Sequence, residues 1–487
     1  MSPRPYALRS ILGLILIGSI ATPVLAITDE EIFRDFRFNF ANPGARALAM
    51  GGAFIAIADD ATAAQANPAR LGVLPRPEIF AEMRTREVDA SGRDTGTFFI
   101  DPSVNPSSTL NLTATVEPET QTTPSVVSFV YPFRLKRSLS VAFSRQEILQ
   151  VTSAATNNFD TVPLDTSPFQ DPLDPENVTS TSVGSIDASL VLYNLSAGYQ
   201  LTRDLFVGGS IVFGDLDLQS EIVSELSDPD GVFSGLGGID PRFQAFPPQQ
   251  ALLSTTIDDS DSDIAWSIGL FWKLNEYVQF GTVYKKGVGM EVDENVLVAP
   301  TAVSIVGRGS EVIQTTFNVP DISGFGVAYR PFAGSQSARL PNILFAMDVV
   351  RVENQDLVEG FDSQLNILTL PGRIQSIDFT ADNQTEIHIG AEYFMFFGDT
   401  ALGFRLGAFT DPDNTVHVDK VTSDGTAEQD GTKAAIENGD LFPERDQMTH
   451  ITAGLSLRVF DFEFAAAYDT SDIETQSLFS VIYRFRR

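Results

Sequence analysis

The chain has 487 residues, a formal net charge of −32, no cysteine and only three histidines. So acidic a surface cannot neutralise phosphates and release their counterions, which excludes nucleic acid as a partner. The missing thiols exclude disulfides, thiolate catalysis and cysteine-bound metal. His388, His417 and His450 are too scattered for a paired metal motif, so no metal or cofactor is expected.

Residues 1–26 read as an export signal: Arg4 and Arg9 are the positive region, Ile11 to Ile20 the apolar core, and Val24-Leu25-Ala26 the small-residue cleavage site. The mature chain is expected to start at Ile27, with a net charge of about −34 once the two signal arginines leave. Ile27 to Phe40 is rich in apolar residues, with Phe33, Phe36 and Phe40 among them. Phe36 and Phe40 lie at helical spacing, which suits either a finger reaching a ligand pocket or packing against an interior wall. Next comes the alanine-rich stretch GGAFIAIADDATAAQANPARLG, Gly51 to Gly72. It has helix-compatible runs, glycines that permit close backbone approach, and an Asn67-Pro68 turn signal.

From Glu78 onward the chain alternates with period two and contains no apolar run long enough for a membrane helix. Between 385 and 397, Ile387, Ile389, Ala391, Tyr393, Met395 and Phe397 share one face, opposite His388, Gly390 and Glu392. After Gly398-Asp399-Thr400 the pattern repeats in Leu402, Phe404, Leu406 and Ala408, an antiparallel hairpin. The same unit recurs at 191–213, 264–284 and 451–464, and Phe479, Val481, Tyr483 and Phe485 form a last strand. Strands of about ten residues match a tilted bilayer crossing. Turns near 135, 202, 275, 399 and 460 are tight, whereas polar loops are expected near 91–123, 154–181, 227–249 and 421–444. Alternating short turns and long loops are typical of outer-membrane barrels.

The expected fold is therefore all-β: a transmembrane antiparallel barrel of about 14 strands. Strands are expected to fall near 77, 125, 139, 184, 205, 252, 277, 310, 342, 382, 400, 446, 461 and 476. The predicted division is signal peptide 1–26, a partly helical hatch plugging the lumen over 27–75, and barrel 76–487.

The segments Gly44-Ala45-Arg46-Ala47, Ala56-Ile57-Ala58-Asp59-Asp60-Ala61 and Asn67-Pro68-Ala69 resemble the N-terminal hatch of the FadL/TodX family of outer-membrane transporters for hydrophobic compounds. The local match covers about 30 residues, and PorV-like secretion shuttles share the same element. The resemblance implies a hatch within a fourteen-stranded barrel, passive uptake of long-chain fatty acids or hydrocarbons, gating by hatch movement and lateral release through the wall. It also implies a monomer surrounded by outer-membrane lipid and lipopolysaccharide. Asp59, Asp60, Asn67, Pro68 and Ala69 match the hatch motif and are the gating candidates. The plainer alternative makes the aspartates a helix cap and Asn67-Pro68 a turn. Alternatives of other classes are a PorV-like barrel that docks secreted proteins and a general porin. No nucleophile constellation supports an enzyme, so no catalytic residue is assigned.

Further ligand-contact candidates are Phe33, Phe36 and Phe40 at the N-terminus and Arg405 and Arg458 in the lumen, where Lys273 and Lys285 also stand. Such charges can attract a carboxylate or pair with Glu392, Glu463 and Asp348. Asp258, Asp259, Asp261 and Asp263 suit calcium by ligand type but lack the EF-hand glycine and glutamate, and read as a solvated acidic loop. Two features depart from the family: Arg486 and Arg487 follow the terminal aromatic Phe485, and acidic outer loops would repel fatty-acid anions.

Overall fold

The computed structural model describes residues 40–88, 95–99, 109–116, 119–133, 135–161, 179–227, 249–299, 310–333, 342–355, 375–412, 416–423, 427–428, 447–472 and 474–486. The predicted signal peptide and the candidates Phe33 and Phe36 lie outside them. Two short helices, α1 (Ala45–Ala49) and α2 (Ala63–Ala66), and a 3-10 helix (Pro68–Val73) precede the strands. In chain order these are β1 (Glu78–Val88), β2 (Thr95–Phe99), β3 (Thr109–Val116), β4 (Glu119–Phe133), β5 (Leu139–Thr161), β6 (Thr179–Gln200) and β7 (Leu205–Ser227). They continue as β8 (Gln249–Lys273), β9 (Val278–Lys285), β10 (Gly289–Val298), β11 (Glu311–Asn318), β12 (Ile322–Tyr329), β13 (Asn342–Val352) and β14 (Gln375–Ala381). The last are β15 (Gln384–Phe397), β16 (Thr400–Asp411), β17 (Val416–Ser423), β18 (Ala427–Glu428), β19 (Met448–Val459), β20 (Phe462–Thr470) and β21 (Glu474–Arg484).

Fourteen strands form one closed antiparallel ring: β1, β4 to β9, β12, β13, β15, β16 and β19 to β21. It closes where β21 meets β1, from Glu78 opposite Arg484 to Val88 opposite Glu474. Just beyond, the Phe485 N–H donates to the Pro77 carbonyl at 3.0 Å, so the terminal aromatic completes the seam despite the two arginines after it. β14, β17 and β18 form a separate small sheet, and β2 and β3 extend the wall at β5.

Parts of the predicted loops are therefore strand. The 91–123 stretch holds β2 and β3, and both β5 and β6 run into 154–181. Outside the bilayer a polar strand has no lipid face, so it lacks the apolar alternation that marks a spanning strand.

The alternation is resolved by exposure. Leu406 is 67% exposed, Ile264 66% and Leu195 56%, while Gly390, Arg405 and Thr452 face inward. An encircling apolar surface of this kind is what lipid contact requires. Aromatic neighbours add lateral packing along it, Trp272 with Phe280 at 6.1 Å and Phe280 with Phe325 at 6.0 Å between ring centroids. No helix among the described residues is long and apolar enough to cross a membrane; the strands do so.

The hatch from Gly44 to Leu74 fills the lumen, and Phe54, Ile57, Leu71 and the alanines form its core with Phe80, Val126, Val130 and Ile482 of the wall. Full burial of a side chain such as Phe54 or Leu71 contributes about 1.5–3 kcal/mol. The hatch is held less by helix than by turns: Gly44, Gly51 and Gly52 have φ of 107°, 62° and 78°, conformations that favour glycine.

Above the hatch the ring changes character. β9 and β10 are one strand interrupted at 286–288, and β11 and β12 one strand interrupted at 319–321, so the hairpin they make bends. Pro320 withholds a donor there, and Asp321 takes over the pairing, accepting from the Gly287 N–H and the Lys286 Nζ at 2.8 and 2.9 Å and from the Tyr284 hydroxyl. The outer half of the hairpin leans over the lumen, where Met290, Val292 and Phe317 pack with Leu190, Leu216 and Ile257 of the facing strands.

Candidate functional site

The hatch is tied to the wall by polar contacts from around the ring. Asp348 of β13 accepts from the Phe54 and Ile55 N–H groups at 2.6 and 2.8 Å, and Glu82 of β1 accepts from the Gly44 N–H. Thr452 accepts from the Gly51 N–H, and Ser128 donates to the Ala61 carbonyl. His388 pairs through Nδ1 with the Gly51 carbonyl at 2.8 Å. Irregular backbone surrounded by wall needs such partners, because an unpaired buried peptide group costs about 1–3 kcal/mol.

The motif residues take different parts. The Asn67 side-chain amide donates to the Ile55 carbonyl at 3.1 Å and to the Leu270 carbonyl of β8 at 3.2 Å, while its oxygen accepts from the Ala69 N–H. It thus joins two hatch turns and the wall, with Pro68 opening the 3-10 helix behind it. The wall is not interrupted at this point: Leu270 is paired with Val207 on one side and Thr282 on the other. Asp59 pairs with Arg46. Burial raises the Asp59 carboxyl, but the guanidiniums of Arg46, Arg70 and Arg330 outweigh it and hold the group below the ordinary carboxylate range. Asp60 accepts from the Thr62 backbone and hydroxyl, the local cap of the plainer reading, and burial pushes its carboxyl up.

Arg46 starts a lattice of buried charge. It grips Glu392 through two bonds, at 2.7 and 3.0 Å, and Glu392 also accepts from Arg405 at 2.7 Å. The chain continues through Glu463, which is 2.9 Å from Arg484 and 2.7 Å from Arg458, and Arg484 meets Glu78 at 2.9 Å. Arg405 and Arg458 thus sit in ion pairs with the carboxylates named from sequence. Neither lines the cavities above the hatch. Asp348, the third of those carboxylates, binds hatch backbone.

A second fastening is steric. Lumen-facing glycines pair across neighbouring strands: Gly198 with Gly208, Gly208 with Gly269, Gly281 with Gly326, and Gly390 with Gly407. Each meets hatch or a side chain that binds it. A Cβ on Gly198 would lie 2.5 Å from the Pro68 oxygen, and one on Gly281 2.6 Å from the Ile55 oxygen. This belt was visible in sequence only as glycine on polar strand faces, without the hatch path that explains it.

Two cavities adjoin the hatch, one of about 140 Å³ against the wall from β9 and β12 round to β19, and one of about 60 Å³ beneath the bend at 286–288 and 319–320. Phe40, Lys285 and Ile322 border both. The larger has apolar walls from Leu48, Ile55, Val283, Val350 and Met448. Its other basic side chains are paired: Arg86 with Glu474 at 2.8 Å, His388 with Glu386 at 2.9 Å and His450 with Asp469 at 3.0 Å. The Lys285 side-chain ammonium has no ion pair or hydrogen bond among the described residues, so it is an uncancelled charge where the cavities meet. Lys273 instead lies exposed beside the turn after β8.

The structure is similar to that of a FadL homologue from Pseudomonas aeruginosa, with a TM-score of 0.56 over 92% of this chain and 98% of that one, at 13% identity. This is the FadL fold. Lower TM-scores accompany likenesses to the toluene transporter TodX of Pseudomonas putida (0.47, 14% identity, 92% and 99% covered) and to CymD, a monoaromatic hydrocarbon channel (0.49, 14%, 93% and 100%). No family model and no curated protein matches the sequence. In the FadL fold the resemblance carried by Gly44 to Ala69 and the closed ring of fourteen strands belong together, an association of residues far apart in the chain.

Among the described residues no cluster of histidine and acids is arranged to hold a metal. The acidic run Asp258 to Asp263 is strand rather than loop, lying within β8, and three of its carboxylates are engaged by the backbone of β10.

Proposed function

We propose that this protein is a passive channel of the bacterial outer membrane for hydrophobic compounds, long-chain fatty acids or hydrocarbons, gated at the hatch and releasing its ligand sideways. The supporting observation is the larger cavity, apolar in much of its wall and set between the hatch and the inner wall of a barrel with a lipid-facing exterior. An apolar cavity of roughly 150 Å³ is enough to hold a benzene ring. Phe40 is the aromatic contact at its edge, and Lys285 offers a fatty acid's carboxylate a partner. Asp59, Asp60, Asn67, Pro68 and Ala69 set the hatch's closed shape. Gating is then a local shift of the cavity rim at Phe40 to Asn42, ahead of the fastened hatch, because the glycine belt leaves the whole hatch no room to slide.

The test is uptake of labelled oleate and labelled toluene by cells with and without the protein, and with Asn67 and Pro68 both changed to alanine. Protein-dependent uptake that the double variant alters supports the channel. Failure with both compounds, with the barrel present in the membrane, transfers the reading to a barrel that docks secreted proteins.

A further inference from the structure

Two buried carboxamides beside the smaller cavity have atoms with nothing to bind. Gln65 belongs to α2 of the hatch and Asn194 to the inward face of β6, and each is 6% exposed. Their backbones are held in place. Ser196 donates to the Ala64 carbonyl at 3.3 Å, and Asn194 lies in register between Ser144 of β5 and Val212 of β7. Among the described residues, however, neither Nε2 nor Oε1 of Gln65 has a hydrogen-bond partner, and Nδ2 of Asn194 has none either. A buried amide left unpaired is unfavourable in a way that an apolar side chain of the same shape is not. Methionine and leucine would fill these two positions without that penalty, so the pair calls for a partner.

Both residues line the cavity of about 60 Å³ beneath the bend. The terminal torsion of a carboxamide is broad, so either of its atoms turns toward the cavity at little cost. Gln146 and Ser267 add to the polar lining, while Ile148, Leu192, Val212, Val288 and Val319 supply the apolar part. Such a lining suits a hydrogen-bonding group carried on hydrocarbon. Size sets how much of the molecule enters. A benzene ring occupies a cavity of roughly 150 Å³, so this one accepts a small head and the first carbons of a chain. The rest of the chain then passes Phe40, Lys285 and Ile322 into the larger cavity.

The unpaired atoms also fix the chemistry of the head. Gln65 presents donors and an acceptor, and Asn194 adds a donor. A hydroxyl answers both, donating to Gln65 Oε1 and accepting from Asn194 Nδ2. A carboxylate only accepts, so it would meet Gln65 Oε1 as a second acceptor, and Lys285 at the border is its better partner. An ether accepts without donating, and a methyl group does neither.

We propose that Gln65 and Asn194 form a hydroxyl-binding subsite, which takes the head of an alkyl alcohol whose chain lies in the larger cavity. This rests on the transport reading above and adds a ligand class, selected by hydrogen bonds from hatch and wall together.

The experiment measures binding of labelled 1-nonanol, 1-methoxyoctane and n-decane, chains of equal length, to the intact barrel in phosphatidylcholine vesicles. Each compound is referenced to its own partition into empty vesicles. Nonanol is expected to bind about tenfold more tightly than decane, the gain from two hydrogen bonds, with 1-methoxyoctane close to decane. Gln65→Met and Asn194→Leu are each expected to reduce nonanol binding several-fold toward that of decane. Decane binding should not change, and the unfolding temperature of the ligand-free barrel should not fall. If either variant does not fold, the three compounds on the unsubstituted barrel still decide. Equal binding of nonanol and decane there means that the amides hold ordered water only, which overturns the subsite and leaves the channel standing. A preference for nonanol that survives both substitutions overturns it too. Binding of none of the three overturns the subsite and removes the cavities from the transport reading, which the uptake of oleate and toluene judges separately.

Discussion

The two halves of the barrel solve opposite problems. Below, the wall meets irregular hatch backbone and fits it closely, with glycines where the chains touch and carboxylates where hatch N–H groups need acceptors. Above, from β8 to β12, strands bend, one ladder is replaced by side chains, and a cavity remains between the hatch and the bend. The fold is common to both halves; the difference lies in whether backbone or side chains close the gaps. A passage is therefore to be sought in the upper half, and a hatch that leaves as a body would forfeit contacts around the ring.

The largest expected effect comes from crowding the lower half. Gly208→Val puts side-chain carbons into the Pro68 and Ala69 backbone, which has no flexible end to yield. Overpacking costs about 1–3 kcal/mol where neighbours can give, and more is expected here, so the variant should fail to reach the heat-modifiable folded form on a semi-native gel. Gly209→Ala, one residue along, meets only the Ser267 oxygen at 3.3 Å and should fold. Equal folding of the two would remove the belt from the argument.

Charge removal should rank next. Glu392→Gln leaves Arg46 and Arg405 facing an uncharged partner in a buried lattice, and breaking such a pair costs about 3–5 kcal/mol. Asp348→Asn keeps an acceptor for the Phe54 and Ile55 N–H groups but loses the charge, and a hydrogen bond to a charged group is worth about 1.5–3 kcal/mol. Thermal unfolding should order the proteins as wild type, Asp348→Asn and Glu392→Gln, with hatch proteolysis rising in parallel. The reverse order would place the stronger fastening at Asp348.

The strands were legible because lipid and lumen impose opposite polarity on neighbouring residues, and that signal is local. Each of the fourteen expected strands has a ring strand near it; for the one near 310, β11 and β12 together make the crossing. The hatch was legible through its motif alone, since short helices and turns leave little periodicity. What could not be read is what depends on distant partners: that Asp348 serves Phe54, that Gly208 lies under Pro68, or that Arg405 is occupied by Glu392. The bend left a signal, Gly287 against Pro320, but either residue alone is also a turn. Asp259, Asp261 and Asp263 alternate like any strand, and their acidity made them resemble a solvated loop while the carboxylates' partners lay 26 to 34 residues away.

The smallest expected effect sharpens what the upper half selects. Lys285 faces both cavities without a counter-charge, so its ammonium rewards a ligand that brings a carboxylate and does little for one that does not. Lys285→Met keeps most of the stem's volume and removes the charge. If fatty acids are ligands, the variant should take up labelled oleate about tenfold less well, the equivalent of about 1.4 kcal/mol, with toluene uptake and thermal stability unchanged. Lys285→Arg should restore oleate. An equal loss for both compounds would mean that Lys285 shapes the cavity, and no loss for either would mean that the carboxylate, where there is one, travels elsewhere. The contrast with Glu392→Gln is the informative part: a lumen charge already paired should affect stability, and one left open should affect the ligand.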